Sequence, residues 1–170
     1  QKYSVLYLQD GGSLFDAKIT WNQQEWGIDE CLDSLIAAKK ITNVIVVGIY
    51  NSGKNRHASY FPQKPFEQMT AADQQIIFNA ARSAEQKLFH TKIYSDSYLK
   101  FIVEELKPFV DQKYATLTDA KHTSIGGSSM GGLISLYAIC EYPKIFGAAM
   151  CLSTHWPGIF ESADNPFPKA

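Results

Sequence analysis

Four short apolar runs punctuate the chain, at residues 3–8 (YSVLYL), 43–49 (NVIVVGI), 123–127 (TSIGG) and 147–152 (GAAMCL). Each is continuous rather than alternating, the pattern of a strand covered on both faces. Between them the period becomes helical. Ile28, Leu32 and Ile36 recur at i, i+4, with Cys31 and Leu35 beside them. Tyr98, Phe101, Ile102, Leu106, Phe109 and Val110 form a second stripe behind the cap-like Ser95-Asp96-Ser97, and Pro108 is expected to kink or end it. Thr70-Ala71-Ala72-Asp73 resembles a capping box opening a third helix toward Gln86. Residues 133–140 (LISLYAIC) are apolar nearly all round, as in a helix held between a sheet and other elements. Strands alternating with helices predict an α/β fold with a mainly parallel sheet and right-handed crossovers. Residues 50–69 carry neither period. Their prolines and aromatic residues predict an ordered loop that walls a site.

A length of 170 residues, 45% hydrophobic and 19% charged, suits one globular domain with one core. Sixteen Lys and Arg balance seventeen Asp and Glu without any basic run, which removes the electrostatic footprint of a nucleic-acid binder. No stretch approaches the roughly 20 apolar residues of a transmembrane helix, so no membrane partner is expected either. Cys31, Cys140 and Cys151 are too scattered for a disulfide framework or a metal site, and are read as buried reduced thiols. Neither a metal nor an organic cofactor is expected. The chain begins at Gln1, already close to a strand pattern and without a charged leader, so it reads as a processed chain or an excerpt of a longer one. A reducing compartment and export after processing both remain open.

Gly127-Ser128-Ser129-Met130-Gly131 is a G-x-S-x-G pentapeptide. It directly follows one predicted strand and directly precedes the apolar helix, the placement a nucleophile elbow requires. Glycines at both ends let strand and helix approach closely, while the turn lifts the Ser129 hydroxyl to a helix N-terminus. The competing reading is a glycine-rich turn that binds phosphate or only packs, but the P-loop lysine and threonine are missing. An oxyanion hole on this architecture takes one N–H from the residue after the nucleophile and one from the loop after an earlier strand. Met130 fills the first role. Gly12, in Gln9-Asp10-Gly11-Gly12-Ser13, fills the second, with Gly11 and Ser13 as neighbours able to do the same; glycines with positive φ would turn the N–H inward.

The segments LYLQDGGSLFD, WGIDECLDSLI, NVIVVGIYNSGKNRHASYFP and SIGGSSMGGLISLYAICEYPKIFGAAMCLS occur in that order over nearly the whole chain. They resemble the putative-esterase family of α/β-hydrolases, which includes enterochelin, feruloyl and acetylxylan esterases. The resemblance implies a three-layer α/β-hydrolase-like sandwich with its strands ordered second, first, third, fourth. It also implies Ser129 as nucleophile, with Met130 and Gly12 as the oxyanion hole. Trp26 and the stretch Arg56, Tyr60, Pro62 resemble positions near the active-site rim. Three departures stand out: Gln9 where the family often has His, Gly12-Ser13 where it often has Gln-Asn, and Ser59 where many members have an acid.

In the family order an acid and then a histidine follow the serine. Here only Glu141, His155, Glu161 and Asp164 do, and His155 precedes both late acids. The resemblance therefore implies the central, roughly four-stranded part of a larger hydrolase, with the acid and the histidine on flanking strands. His155 follows the fourth strand and is the candidate base within these residues; it could equally line a pocket with Trp156 or be a plain loop residue. His57 is a lesser candidate, whereas His90 and His122 read as structural. Asp10 and Asp16 read as turn caps. With few charges evident, the expected substrates are small or aromatic acyl esters or acylated sugars. Tyr50, Tyr60, Phe61, Trp26 and Trp156 are candidates for an aromatic pocket. The alternative is a non-catalytic or incomplete module that binds a ligand or partner, and exposed sheet edges suggest a homodimer.

Overall fold

The computed structural model describes residues 1–20, 22–159 and 163–169. Its sheet strands are β1 (Ser4–Gln9), β2 (Val44–Ile49), β3 (Ala81–Ser83), β4 (Gln86–Lys87), β5 (Thr123–Ser128) and β6 (Ala148–Leu152). Four of them form one fully parallel sheet in the order β2-β1-β5-β6, with β2 and β6 at its edges. The antiparallel β3–β4 pair stands apart as a small ribbon. Tyr7 lies between Val47 and Ile125 in register, and its ring meets Phe146 edge-on at 6.5 Å. The central strands β1 and β5 are mostly buried, as their continuous apolar runs predict, whereas the edge strands β2 and β6 are only half-buried.

The helices are α1 (Ile28–Ala37), α2 (Arg56–Tyr60), α3 (Gln63–Glu67), α4 (Ala71–Phe78), α5 (Ser95–Phe101), α6 (Lys107–Lys113) and α7 (Met130–Glu141). The first two turns of α7 are almost wholly buried, which is what its all-round apolar sequence requires. Pro108 does not end its helix, since helical residues continue to Lys113. A π-helical turn at Ile102–Leu106 joins α5 to α6 and brings the proline into the first positions of α6, where its missing N–H costs no internal bond. Lys107, nearly buried, is satisfied by Asp111 at 2.6 Å and by the Thr118 carbonyl at 3.0 Å.

Three expectations change. The helix opened by Thr70 stops at Phe78 rather than near Gln86, because the chain turns into the β3–β4 ribbon; the cap itself forms, Thr70 Oγ accepting from Asp73 N at 3.2 Å. Residues 50–69 are not a loop: a 3₁₀ turn at Gly53–Asn55, then α2 and α3, fill most of them. Helices of five residues span under two turns and leave no period to read. The cysteines are not buried, since Cys31 and Cys140 are exposed and Cys151 is half-buried. Among the described residues, no helix is long and apolar enough to cross a membrane.

Candidate active site

At the C-terminal end of β5 the chain reverses into α7 through Ser129, whose backbone lies at φ 57°, ψ −121°. A residue with a Cβ enters that region at a cost of about 1–3 kcal/mol and stays only when its surroundings hold it there. Three hydrogen bonds do so. Ser129 N–H donates to the Leu152 carbonyl at 3.0 Å, and the Ser129 carbonyl accepts from Leu133 N and His155 N, both at 3.1 Å. The flanking glycine is equally constrained, because a Cβ on Gly127 would fall 2.7 Å from the Gly131 carbonyl carbon. Met130 begins α7, so its N–H is one of the donors for which the helix has no internal acceptor.

The loop after β1 approaches the same helix end. Asp10 adopts the left-handed conformation, φ 56°, and a one-turn 3₁₀ helix follows at Gly11–Ser13, closed by Ser13 N–H donating to the Asp10 carbonyl at 2.9 Å. The positive φ expected of the glycines thus belongs to Asp10. Gly11 is required for another reason: a Cβ there would lie 2.6 Å from the Gly48 carbonyl carbon of β2. Asp10 is also no simple turn cap. Its carboxylate takes a fork from Arg56, Nε to Oδ1 and Nη2 to Oδ2, both 2.7 Å, and a third bond from Asn51 Nδ2 at 2.8 Å. A Cβ on Gly131 would stand 3.1 Å from Asp10 Oδ2, so the carboxylate lies against the first turn of α7, where the helix dipole favours it. Asp10 N–H donates to the buried Tyr60 hydroxyl at 3.3 Å, and Arg56 stacks over the Tyr60 ring at 5.0 Å. Gln9 is fully buried beside the elbow glycines. Tyr98 OH donates to its Oε1, and its amide nitrogen has no partner among the described residues.

Ser129 and Met130 line a small cavity of about 180 Å³ together with His155, His57, Arg56 and Arg82. His155 Nε2 sits 3.0 Å from the Ile159 carbonyl, an acceptor only, so Nε2 is the donor of this contact and Nδ1 is left out of it. Burial pushes His57 down to about 4, and the Arg56 and Arg82 charges and His155 push the same way, so this ring is neutral at pH 7. Its T-shaped contact with Phe89, at 6.0 Å, holds it there. The expectation of a site with few charges is therefore corrected: two arginines face the serine's cavity. Arg56 belongs to the stretch whose resemblance put it near the site's rim, whereas Arg82 fell within the residues read as the helix running toward Gln86.

Residues 1–165 match the family described as "Putative esterase". The chain belongs to that family. Two relatives from Bacillus subtilis, the uncharacterized proteins YbbA and YjcH, are 25% and 26% identical over 91% and 86% of this chain. The chain spans about half the length of these curated relatives, 51% and 46%. Similar solved structures include ferric enterobactin esterase of Salmonella typhimurium, at TM-score 0.57 and 19% identity over 97% of this chain and 31% of that one. A ferulic acid esterase of Anaeromyces mucronatus matches at TM-score 0.51 and 18% identity, over 86% of this chain and 44% of its own. These likenesses show the α/β-hydrolase-like fold.

Within this esterase-family fold the predicted site residues separate. Ser129, Met130 and His155 share one cavity, and Gly12 lies on the loop that Asp10 anchors beside α7. Trp26 is tied to that loop by its backbone, its N–H donating to the Ser13 carbonyl at 3.0 Å. Tyr60 and Phe61 are wholly buried and are core and support rather than pocket wall; Phe61 packs on Phe66, Phe89 and Phe167. Of the aromatic candidates, Tyr50 and Trp156 are exposed, 69% and 58%, and Tyr50 covers Gly12. Glu141, at the far end of α7, pairs with Lys64. Asp16 caps Lys18 N at 2.8 Å, and His122 binds Asp119. Ser59 bonds Ser52 Oγ at 2.9 Å. Glu161 falls outside the described residues. Among the described residues no group of three or more His, Cys, Asp or Glu gathers as a metal ion needs.

Proposed function

We propose that the protein is a serine carboxylester hydrolase whose nucleophile is Ser129. The observation that carries this reading is the strained Ser129 backbone, held by three hydrogen bonds at a strand–helix junction that opens onto a cavity shared with an imidazole. In the proposed reaction Ser129 Oγ attacks the ester carbonyl carbon while its proton passes to His155 Nδ1. The carbonyl oxygen gains negative charge and is held by the N–H groups of Met130 and Gly12. Collapse of this intermediate breaks the ester C–O bond, and the alcohol departs with the proton. Water then attacks the acyl-enzyme, freeing the acid and restoring Ser129. A cavity of about 180 Å³ suits a small or single-ring acyl group.

The test uses 4-nitrophenyl acetate turnover together with labelling by a fluorophosphonate. Both should vanish in Ser129→Ala. Loss of turnover in His155→Gln supports this assignment of the base; unchanged turnover in that variant means that another imidazole takes the proton. Absence of labelling in the parent protein would favour the alternative reading of a binding module. That alternative has one structural point in its favour: the proton of His155 Nε2 faces a carbonyl rather than a carboxylate.

A further inference from the structure

Gln9 ends β1 and stands between the two N–H groups assigned to the oxyanion hole. Its backbone runs on into the loop that carries Gly12, and its side chain packs on the glycines at both ends of the elbow. A Cβ added at Gly127 would lie 2.9 Å from Gln9 Cβ, and one at Gly131 would lie 3.1 Å from it. Gln9 is wholly buried, and Tyr98 OH, from α5, donates to its Oε1. Burial, and after it the Tyr60 hydroxyl close by, pushes the Tyr98 phenol well up, so it keeps the proton that this bond requires. The Tyr60 ring packs on Tyr98 with centroids 5.5 Å apart, and Tyr60 OH accepts from Asp10 N–H at 3.3 Å. Two packed tyrosines thus hold two consecutive residues, one by its side chain and one by its backbone. The Gln9 amide nitrogen is buried without a partner among the described residues. Stability alone would favour a matched apolar pair at positions 9 and 98, because a glutamine here gains one bond and leaves its donors unpaired.

We propose that Gln9, braced by Tyr98, is a positioning residue that sets the spacing between the Gly12 and Met130 N–H groups. The proposal rests on Ser129 being the nucleophile and on those two groups holding the oxyanion. Donors of this kind work only when they stand within a fraction of an ångström of the place where charge develops, and residues that never meet the substrate hold them there. Gln9 does not line the serine's cavity, so it acts through the chain on either side of it. The Arg56–Asp10 fork ties the Gly12 loop to α2, whereas Gln9 ties the same loop to both elbow glycines. Tyr98 fixes where the Gln9 side chain lies, and with it how closely loop and elbow approach.

The test compares Gln9→Met, Tyr98→Phe and the two together, with 4-nitrophenyl acetate as substrate. Each single change leaves a buried polar group unpaired and should lower the urea midpoint, whereas the pair makes an apolar match and should return it to the parent's value or above. Activity should not return with it. In all three proteins kcat and kcat/KM should fall together by about tenfold, with KM unchanged. The pair should lose no more than either single change, because one contact is shared. Four results overturn the proposal: parent-like kcat in the pair, a rise in KM alone, losses that multiply to about a hundredfold in the pair, or a midpoint in the pair as low as in the singles. A second measurement needs no catalysis. In amide proton–nitrogen correlation spectra the Gly12 and Met130 signals should move in the pair, while those of residues 34–37 at the end of α1 stay in place. Unmoved Gly12 and Met130 signals overturn the proposal. A parent protein that neither turns over the ester nor takes the fluorophosphonate label counts against Ser129 as nucleophile, and the two amide signals then decide by themselves whether Gln9 sets the spacing.

Discussion

Arg56 grips the Asp10 carboxylate with two 2.7 Å hydrogen bonds, across 46 residues of sequence and between the loop after β1 and the first turn of α2. This contact fixes the loop bearing Gly12 against the start of α7. Both side chains are largely shielded, 23% and 13% exposed, so the pair is screened less than a surface bridge. A double-mutant cycle on Asp10→Asn and Arg56→Gln should return a coupling of about 1–3 kcal/mol in urea unfolding. Each single change should also lower kcat/KM by about tenfold or more, because a loop displaced by about 1 Å misplaces its N–H.

Ser129 holds an unfavourable backbone at φ 57°, ψ −121°. Ser129→Gly should therefore raise stability by about 1 kcal/mol while abolishing phosphonate labelling. Denaturant titration of the two proteins measures the first effect, and intact-mass spectrometry after labelling the second. A Ser129→Gly protein less stable than its parent would show that the conformation at φ 57° carries no strain.

Gly127→Ala should be among the most damaging single-methyl changes. The added Cβ would meet the Gly131 carbonyl carbon at 2.7 Å and its oxygen at 2.8 Å, both backbone atoms that cannot rotate away. A loss of about 2 kcal/mol or more is expected, together with failure to label. Gly53→Ala supplies the contrast, since nothing lies within 4 Å of its Cβ position, although its φ of 58° still carries some strain.

His57 makes stability depend on pH in one direction. Its folded value, about 4, lies below the ordinary 6.5, so between these pH values the unfolded chain binds the proton more readily. The contribution of neutral His57 is complete above about pH 6.5 and is lost as pH falls toward 4, below which this group adds no further slope. Unfolding free energies at pH 7 and pH 4.5 should show a smaller drop for His57→Gln than for the parent.

The strands and the elbow were legible because they obey short-range rules. A continuous apolar run such as residues 3–8 marks a central strand of the sheet, and Gly127 and Gly131 around Ser129 permit the sharp turn between strand and helix. The capping box at Thr70 worked for the same reason, since its partner stands three residues away. Where the helix after it ended was not legible. The stop comes from the β3–β4 ribbon, which pairs residues only later in the chain.

The sequence by itself determined the α/β class, the parallel sheet and the sharp strand–helix turn at Ser129, because each depends on periodicity or on glycine within a few residues. Only the tertiary structure decided what surrounds them. It took Asp10 from a turn cap to the partner of Arg56, drew Tyr60 into the core, and set Arg82 and His57 beside Ser129. Those relationships join residues tens of positions apart in segments too short to show a period. Charge and burial at a site are properties of the assembled neighbourhood, and no local pattern encodes them.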